Sequence, residues 1–150
     1  MAKIDKYNDH ILRLLQTNGR ISNIELAKAV GLSPSACLRR VQDLERRGII
    51  KGYRAIIDPK TLGQDVVVFV MVGLSGHLKK DSQAFEAAMA LAPEVRECHN
   101  ITGSVEYLLR VEVADLSAYK AFHSDRLGTL NMVGSITSHI VLGASKDRLA

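Results

Sequence analysis

Apolar residues recur at helical spacing through the first 47 positions, and at strand spacing or in short continuous runs through much of the remainder. Between Ser33 and Gly48, Cys37, Leu38, Val41 and Leu44 share one face at 100° per residue. Ser35, Ala36, Arg39, Asp43 and Arg46 fall on the other, with Arg40 and Arg47 on its flank. Ser33 can cap the free amides of the first turn, Pro34 suits the first helical position, and Gly48 closes the end, so a helix is predicted from Ser33 to Arg47. Upstream, Ser22 and Glu25 have capping-box spacing and open a short helix with Ile24, Leu26, Ala27 and Val30 as its apolar positions. A first helix is predicted from Asp5 to the Asn18-Gly19 stop, its inner face made of Ile4, Ile11, Leu14 and Leu15, with Tyr7 and Leu12 close by.

After Gly48 the pattern changes. Residues 49–59 are rich in β-branched residues and punctuated by Gly52 and Pro59, which predicts an extended wing or linker strand. The polar stretch Asp58–Gly63 then reads as a boundary between residues 1–62 and residues 63–150. Residues 65–74 are almost continuously apolar and predict a buried strand. A helix from Asp81 to Leu91, stopped by Pro93, follows. Two strands, Val95–Thr102 and Glu106–Val113, meet at Gly103, Ser104 and Val105. Asp115 caps a second helix carrying Leu116, Tyr119, Phe122 and Leu127, and Val133–Leu142 forms the last strand. Strand-helix-strand-strand-helix-strand is the ferredoxin-like order, which makes the chain α+β: a helical amino-terminal module and a βαββαβ sandwich. Val66–Val72 has apolar residues on both faces, more than a solvated monomer should show, so the chain is expected to be at least a dimer.

Charge divides along the same line. Residues 1–62 hold 12 Lys and Arg against 6 Asp and Glu, and residues 63–150 hold 8 against 10, giving +6 and −2. Two short helices joined by a Gly-containing turn, the second with a cationic outer face, make a helix-turn-helix whose second helix enters the DNA major groove. An ordinary helical hairpin with a solvated basic face is the other reading. On the first, Ser35, Ala36, Arg39 and Arg40 read bases in double-stranded DNA, while Asn23 and Ser33 steady the backbone at helix N-termini. Arg46 and Arg47 touch phosphate or nothing, and Lys51 and Arg54 reach the phosphate backbone.

Other chemistry finds little support. The five histidines (His10, His77, His99, His123, His139) and two cysteines contain no ligand pair at metal spacing, so no metal is expected. Cys37 reads as a small core residue. Hydrolase, P-loop and dinucleotide motifs are missing, which argues against an enzyme and against a cofactor. A stand-alone amino-acid-binding sensor or catalyst on the ferredoxin-like sheet is the alternative class. The polar first residues, the short apolar runs and two isolated cysteines suggest a cytoplasmic protein with no membrane association. The turn Thr102–Tyr107 has two readings. It is an exposed hairpin, or a ligand loop in which Gly103 permits close approach, Thr102 and Ser104 offer hydroxyls, and Glu106 pairs with an amino group.

Two long segments, residues 18–59 and residues 97–122, resemble the Lrp/AsnC (feast/famine) family of transcriptional regulators, its leucine-responsive type more than its asparagine-specific one. The resemblance implies a winged helix-turn-helix, a hinge strand, and an effector domain of the topology derived above. It implies dimers joined through the sheet and assembled into tetramers, octamers or larger rings, with an amino acid bound between dimers. The loop implied is Thr102, Gly103, Ser104, Val105, Glu106 and Tyr107. Glu106 stands where the family often has Asp, Asn8 where it often has Asp, and Ala36 where Pro is common. In that setting His139, Ile140 and Val141 of the last strand would cover the ligand's side chain, favouring leucine or methionine.

Overall fold

In the computed structural model, which describes residues 4–76 and 78–146, the chain divides into two units, Met1–Ala55 and Ile56–Ala150. The division falls just ahead of the Asp58–Gly63 stretch. Three helices form the first unit: α1 (Lys6–Thr17), α2 (Asn23–Val30) and α3 (Pro34–Arg46). Each begins where its side-chain cap dictates. Asp5 accepts the Asn8 amide at 2.8 Å, Ser33 accepts that of Ala36 at 3.3 Å, and Ser22 and Glu25 form the reciprocal capping box. Gly31, at φ +72°, makes the turn between α2 and α3 in a conformation that few other residues adopt readily.

Ile11, Leu26, Ala27, Val30, Cys37 and Leu44 form the core of this unit. Ala27 is 1% exposed, the small residue expected where two helices pack closely. Three positions assigned to inner faces are instead exposed: Ile4, Ile24 and Leu38. Ile4 precedes the helix, while Ile24 and Leu38 lie at the edges of their apolar stripes, outside a core that so small a unit can fill with fewer residues. The predicted wing strand also differs. Residues 51–58 pair with no strand, because the described residues of the first unit form helices and no strand. Tyr53 instead holds the segment, donating from its hydroxyl to Glu45 at 2.9 Å.

The second unit contains β1 (Val66–Leu74), α4 (Lys79–Ala90), β2 (Val95–Asn100), β3 (Tyr107–Val113), α5 (Leu116–Ala121) and β4 (Val133–Ile140). A π-type turn, Phe122–Leu127, continues α5. The sheet is antiparallel in the order β2-β3-β1-β4, the ferredoxin-like arrangement. Alternation decides which residues meet the helices. Val68, Val70 and Val72 of β1 and Tyr107, Leu109 and Val111 of β3 bury themselves with Phe85 and Met89 of α4 and with Tyr119 and Phe122. Val67, Phe69, Met71 and Leu108 take the opposite face, outside that core and half-buried.

At the centre of that opposite face Arg110 is 7% exposed. Its Nε donates to Glu112 at 3.0 Å and its guanidinium lies 5.8 Å from the Phe69 ring centroid. Arg96 donates to the same Glu112 carboxylate at 3.0 Å. This face is therefore a mixed surface, apolar along β1 and ionic along β3. Among the described residues no helix is long and apolar enough to cross a membrane, and no three metal-ligating side chains converge. His77 lies outside the described residues.

Candidate functional site

In the first unit the cationic face of α3 is unequally available. Arg39 is exposed, and among the described residues no hydrogen bond or ion pair engages it. Arg40 is not part of an open reading face. Its Nη1 reaches Asp5 at 2.6 Å and Asn8 at 3.0 Å, and its guanidinium lies 5.3 Å from the Tyr7 ring centroid. Arg40 ties α3 to the start of α1. A bidentate-capable arginine on the flank of a helix finds the nearest oxygen acceptors, and here α1 supplies them. The Asn8 backbone amide, and then Arg40, hold the Asp5 carboxyl below its ordinary range.

Arg46 and Arg47 both pair with Asp43 within the helix, Arg47 at 3.1 Å. Asn23 is also engaged, its Nδ2 donating to the Pro34 carbonyl at 2.9 Å and so bracing α2 against the first turn of α3. Ser33 acts as the cap and lies 3.3 Å from the Ser35 hydroxyl. Lys51 and Arg54 are exposed on the segment that Tyr53 fastens. What α3 leaves for recognition is small and polar at its start, with Ser35 exposed and Ala36 half-buried, and then Arg39, exposed and without an ion-pair partner among the described residues.

In the second unit, residues 101–106 turn between β2 and β3, with Gly103 at φ +133° and Thr102, Gly103 and Ser104 exposed. Both ends of the loop are fastened. Ile101 N donates to the Glu106 carbonyl at 2.8 Å, and Glu106 Oε2 accepts the Leu74 amide at 2.7 Å. The carboxylate expected to meet a ligand therefore already secures the loop to the end of β1. Tyr107 does not line the loop. It is fully buried on the helix side, donating to Glu86 at 2.8 Å with its ring 4.6 Å from that of Phe85. Strand alternation sends it to the layer opposite Glu106.

Nor does one chain bring the loop to His139, Ile140 and Val141 of the last strand. Register pairs Phe69 with His139 and Val68 with Ile140, whereas the loop sits at the Leu74 end, opposite Val133. Phe69 and Leu74 are five positions apart, about 17 Å of strand. Ile140 also points to the other face from His139. The residues nearest the loop are ones that the pattern of the sequence did not single out. Val105 packs near Gly73, and Gly73 and Gly134 pass close to Ser135 and Ser75. The signal for these was weak: two glycines within strands, which often mark close backbone approach.

In each unit a family model matches a segment. Residues 4–51 match a model described as winged helix-turn-helix DNA-binding, and residues 67–150 one described as the Lrp/AsnC ligand binding domain. Leucine-responsive regulatory proteins of Salmonella typhimurium and Escherichia coli K12 are 40% identical over 144 residues, covering 96% of this chain and 88% of theirs. Among solved structures, a transcriptional regulator of Neisseria meningitidis in complex with L-methionine superposes with a TM-score of 0.93 at 36% identity, covering 97% of this chain and 94% of that one. An AsnC-family regulator of Agrobacterium tumefaciens gives 0.90 at 34% identity, covering 95% and 93%.

Proposed function

The chain belongs to the Lrp/AsnC family of transcriptional regulators, and from that premise we propose that it is an amino-acid-responsive regulator whose α3 enters the major groove of its operators and whose loop 101–106 holds the effector. Its relatives are regulators and not enzymes. One observation carries the DNA reading: α2 and α3 meet at a left-handed Gly31, braced by Asn23 on Pro34, with Arg39 exposed and unpaired among the described residues. Arg39 suits a bidentate contact to guanine, and Ser35 and Ala36 suit close approach to base edges. Lys51, Arg54 and the Ser33 end of α3 suit phosphate. On this reading DNA binding lies within residues 1–62 and effector binding and assembly within residues 63–150.

The effector side follows from the loop. Amides around Gly103 and Ser104 suit a ligand's carboxylate, while the Glu106 carboxylate and nearby carbonyls suit its ammonium. Because His139–Val141 lie at the far end of the strand, a ligand touching both regions needs a second copy of the chain. Homodimers closing over Val67, Phe69, Met71 and Leu108, further assembled into tetramers or octamers, supply one. A hydrophobic amino acid, leucine or methionine, fits that cover, and the Neisseria neighbour's L-methionine complex supports it. On this reading the protein works in the cytoplasm on genes of amino-acid metabolism. Selection of bound genomic fragments, repeated with each amino acid, tests the proposal. No enrichment of any fragment under any condition refutes it. Light scattering tests the assembly: a monodisperse monomer at micromolar concentration refutes the dimer.

A further inference from the structure

Four arginines lie on or beside the outer face of α3, yet the structure treats them differently. Arg40 is bound to α1 through Asp5 and Asn8. Arg46 and Arg47 stand three and four residues after Asp43, the spacing at which side chains meet on a helix, and both donate to its carboxylate. Arg47 in particular, and then Arg46, hold the Asp43 carboxyl below its ordinary range. Only Arg39, on the turn before Asp43, has no such partner among the described residues.

We propose that Asp43 is a specificity-determining residue: by occupying Arg46 and Arg47 it withholds two cations from DNA phosphate, so that Arg39 dominates the contact α3 makes. Phosphate contacts add affinity for every sequence equally, whereas a base contact separates one sequence from another. A reading helix with three unpaired arginines holds any duplex well. One with a single unpaired arginine depends more on the base beneath it. Surface ion pairs are individually weak, but the competition here is between a carboxylate already at hydrogen-bond distance and a phosphate that must be reached, so a small bias decides the occupancy. The inference rests on the DNA-binding reading above.

The test uses the full chain with a short duplex of arbitrary sequence and a genome-selected fragment, titrated by fluorescence anisotropy across a salt series. Four proteins are compared: wild type, Asp43→Asn, the pair Arg46→Ala/Arg47→Ala, and the triple variant. Asp43→Asn should bind the arbitrary duplex more tightly at low salt and lose discrimination against the selected fragment. Its salt slope should steepen by about 1.8, so that a fourfold rise in salt costs it about twelvefold more affinity than it costs wild type. The Arg46→Ala/Arg47→Ala pair should match wild type on both duplexes, and the triple variant should match the pair. Thermal melts confirm that each variant is folded, and Asp43→Ser repeats the test should the Asn variant melt early.

Equal loss on removing the two arginines, with or without Asp43, overturns the proposal. So does a triple variant that keeps the gain of Asp43→Asn, since the effect is then the carboxylate's own repulsion. Binding of no duplex by wild type at low salt overturns the DNA-binding reading itself, and the inference with it.

Discussion

Replacing Glu106 separates its observed role in holding the loop from its proposed role toward a ligand. Its carboxylate accepts the Leu74 amide at 2.7 Å, a charge-assisted bond in a half-buried setting. Glu106→Gln keeps an acceptor of the same reach and loses the charge. The structural loss is the difference between a charged and a neutral bond, about 1 kcal/mol. A change of that size shifts melting by only a few degrees and leaves the loop in place. A ligand ammonium, by contrast, loses its ionic partner, worth about 1.5–3 kcal/mol, or roughly 10- to 150-fold in affinity. Glu106→Ala removes both and leaves the Leu74 amide unpaired, adding about 1–3 kcal/mol of destabilisation. Calorimetry with a panel of amino acids, on all three proteins, reads the contrast. Effector-free DNA affinity should stay nearly constant in the Gln variant. Equal amino-acid affinities for wild type and Glu106→Gln would show that the carboxylate serves only the loop, and the ionic part of this reasoning would fail.

Arg39→Ala should cost about 1–3 kcal/mol at the preferred operator and relax one base step, whereas Lys51→Ala should weaken all sequences alike and flatten the salt slope by about one; unchanged affinity of Arg39→Ala for operator and random DNA refutes the assigned face. Leu44→Ala opens a cavity in the core of the first unit at a cost of about 2–5 kcal/mol. A unit of this size has about 3–8 kcal/mol in all, so DNA binding should collapse near physiological temperature while the sheet keeps its own melting transition; loss of both together in one transition counts against separate folding. Asp5 titrates below its ordinary 3.8 in the folded unit, held there by the Asn8 amide and then by Arg40, so the cap and the Arg40 tie stabilise the unit above that value and are lost as pH falls through the lowered one. Acid melts of wild type should show this limb and Asp5→Asn should lack it; identical acid profiles refute the tie's contribution.

The local signals in this chain were readable because their physics is local. Ser22 with Glu25, Ser33 before Pro34, and Asp115 before α5 each act within three residues, and each cap forms as its spacing predicts. Alternation in β1 and β3 likewise fixed which valines face the helices. What stayed hidden depends on distant partners. Arg40 meets Asp5 across 35 positions, and Glu106 meets Leu74 across 32. No periodicity carries such pairings. The distance between the loop and His139 was equally hidden, since it follows from strand register. The Asp43 pairs are a different case. Their three- and four-residue spacing lies in the sequence, but spacing alone does not decide whether Arg46 and Arg47 turn to Asp43 or reach outward.

Glu106 and Tyr107 are neighbours in sequence, yet one is pinned to the end of β1 and the other to Glu86 on α4. Two adjacent anchors in opposite layers fix where the loop must re-enter the sheet. Between Thr102 and Val105 the chain owes the fold little beyond the turn at Gly103, and three of those four residues are exposed. Substitutions there leave the buried framework undisturbed, while a change at 106 or 107 is paid for in stability. On the proposed effector reading, such a loop is a place where a lineage can try new ligands one residue at a time, each intermediate still folding, with the rest of the regulator inherited unchanged.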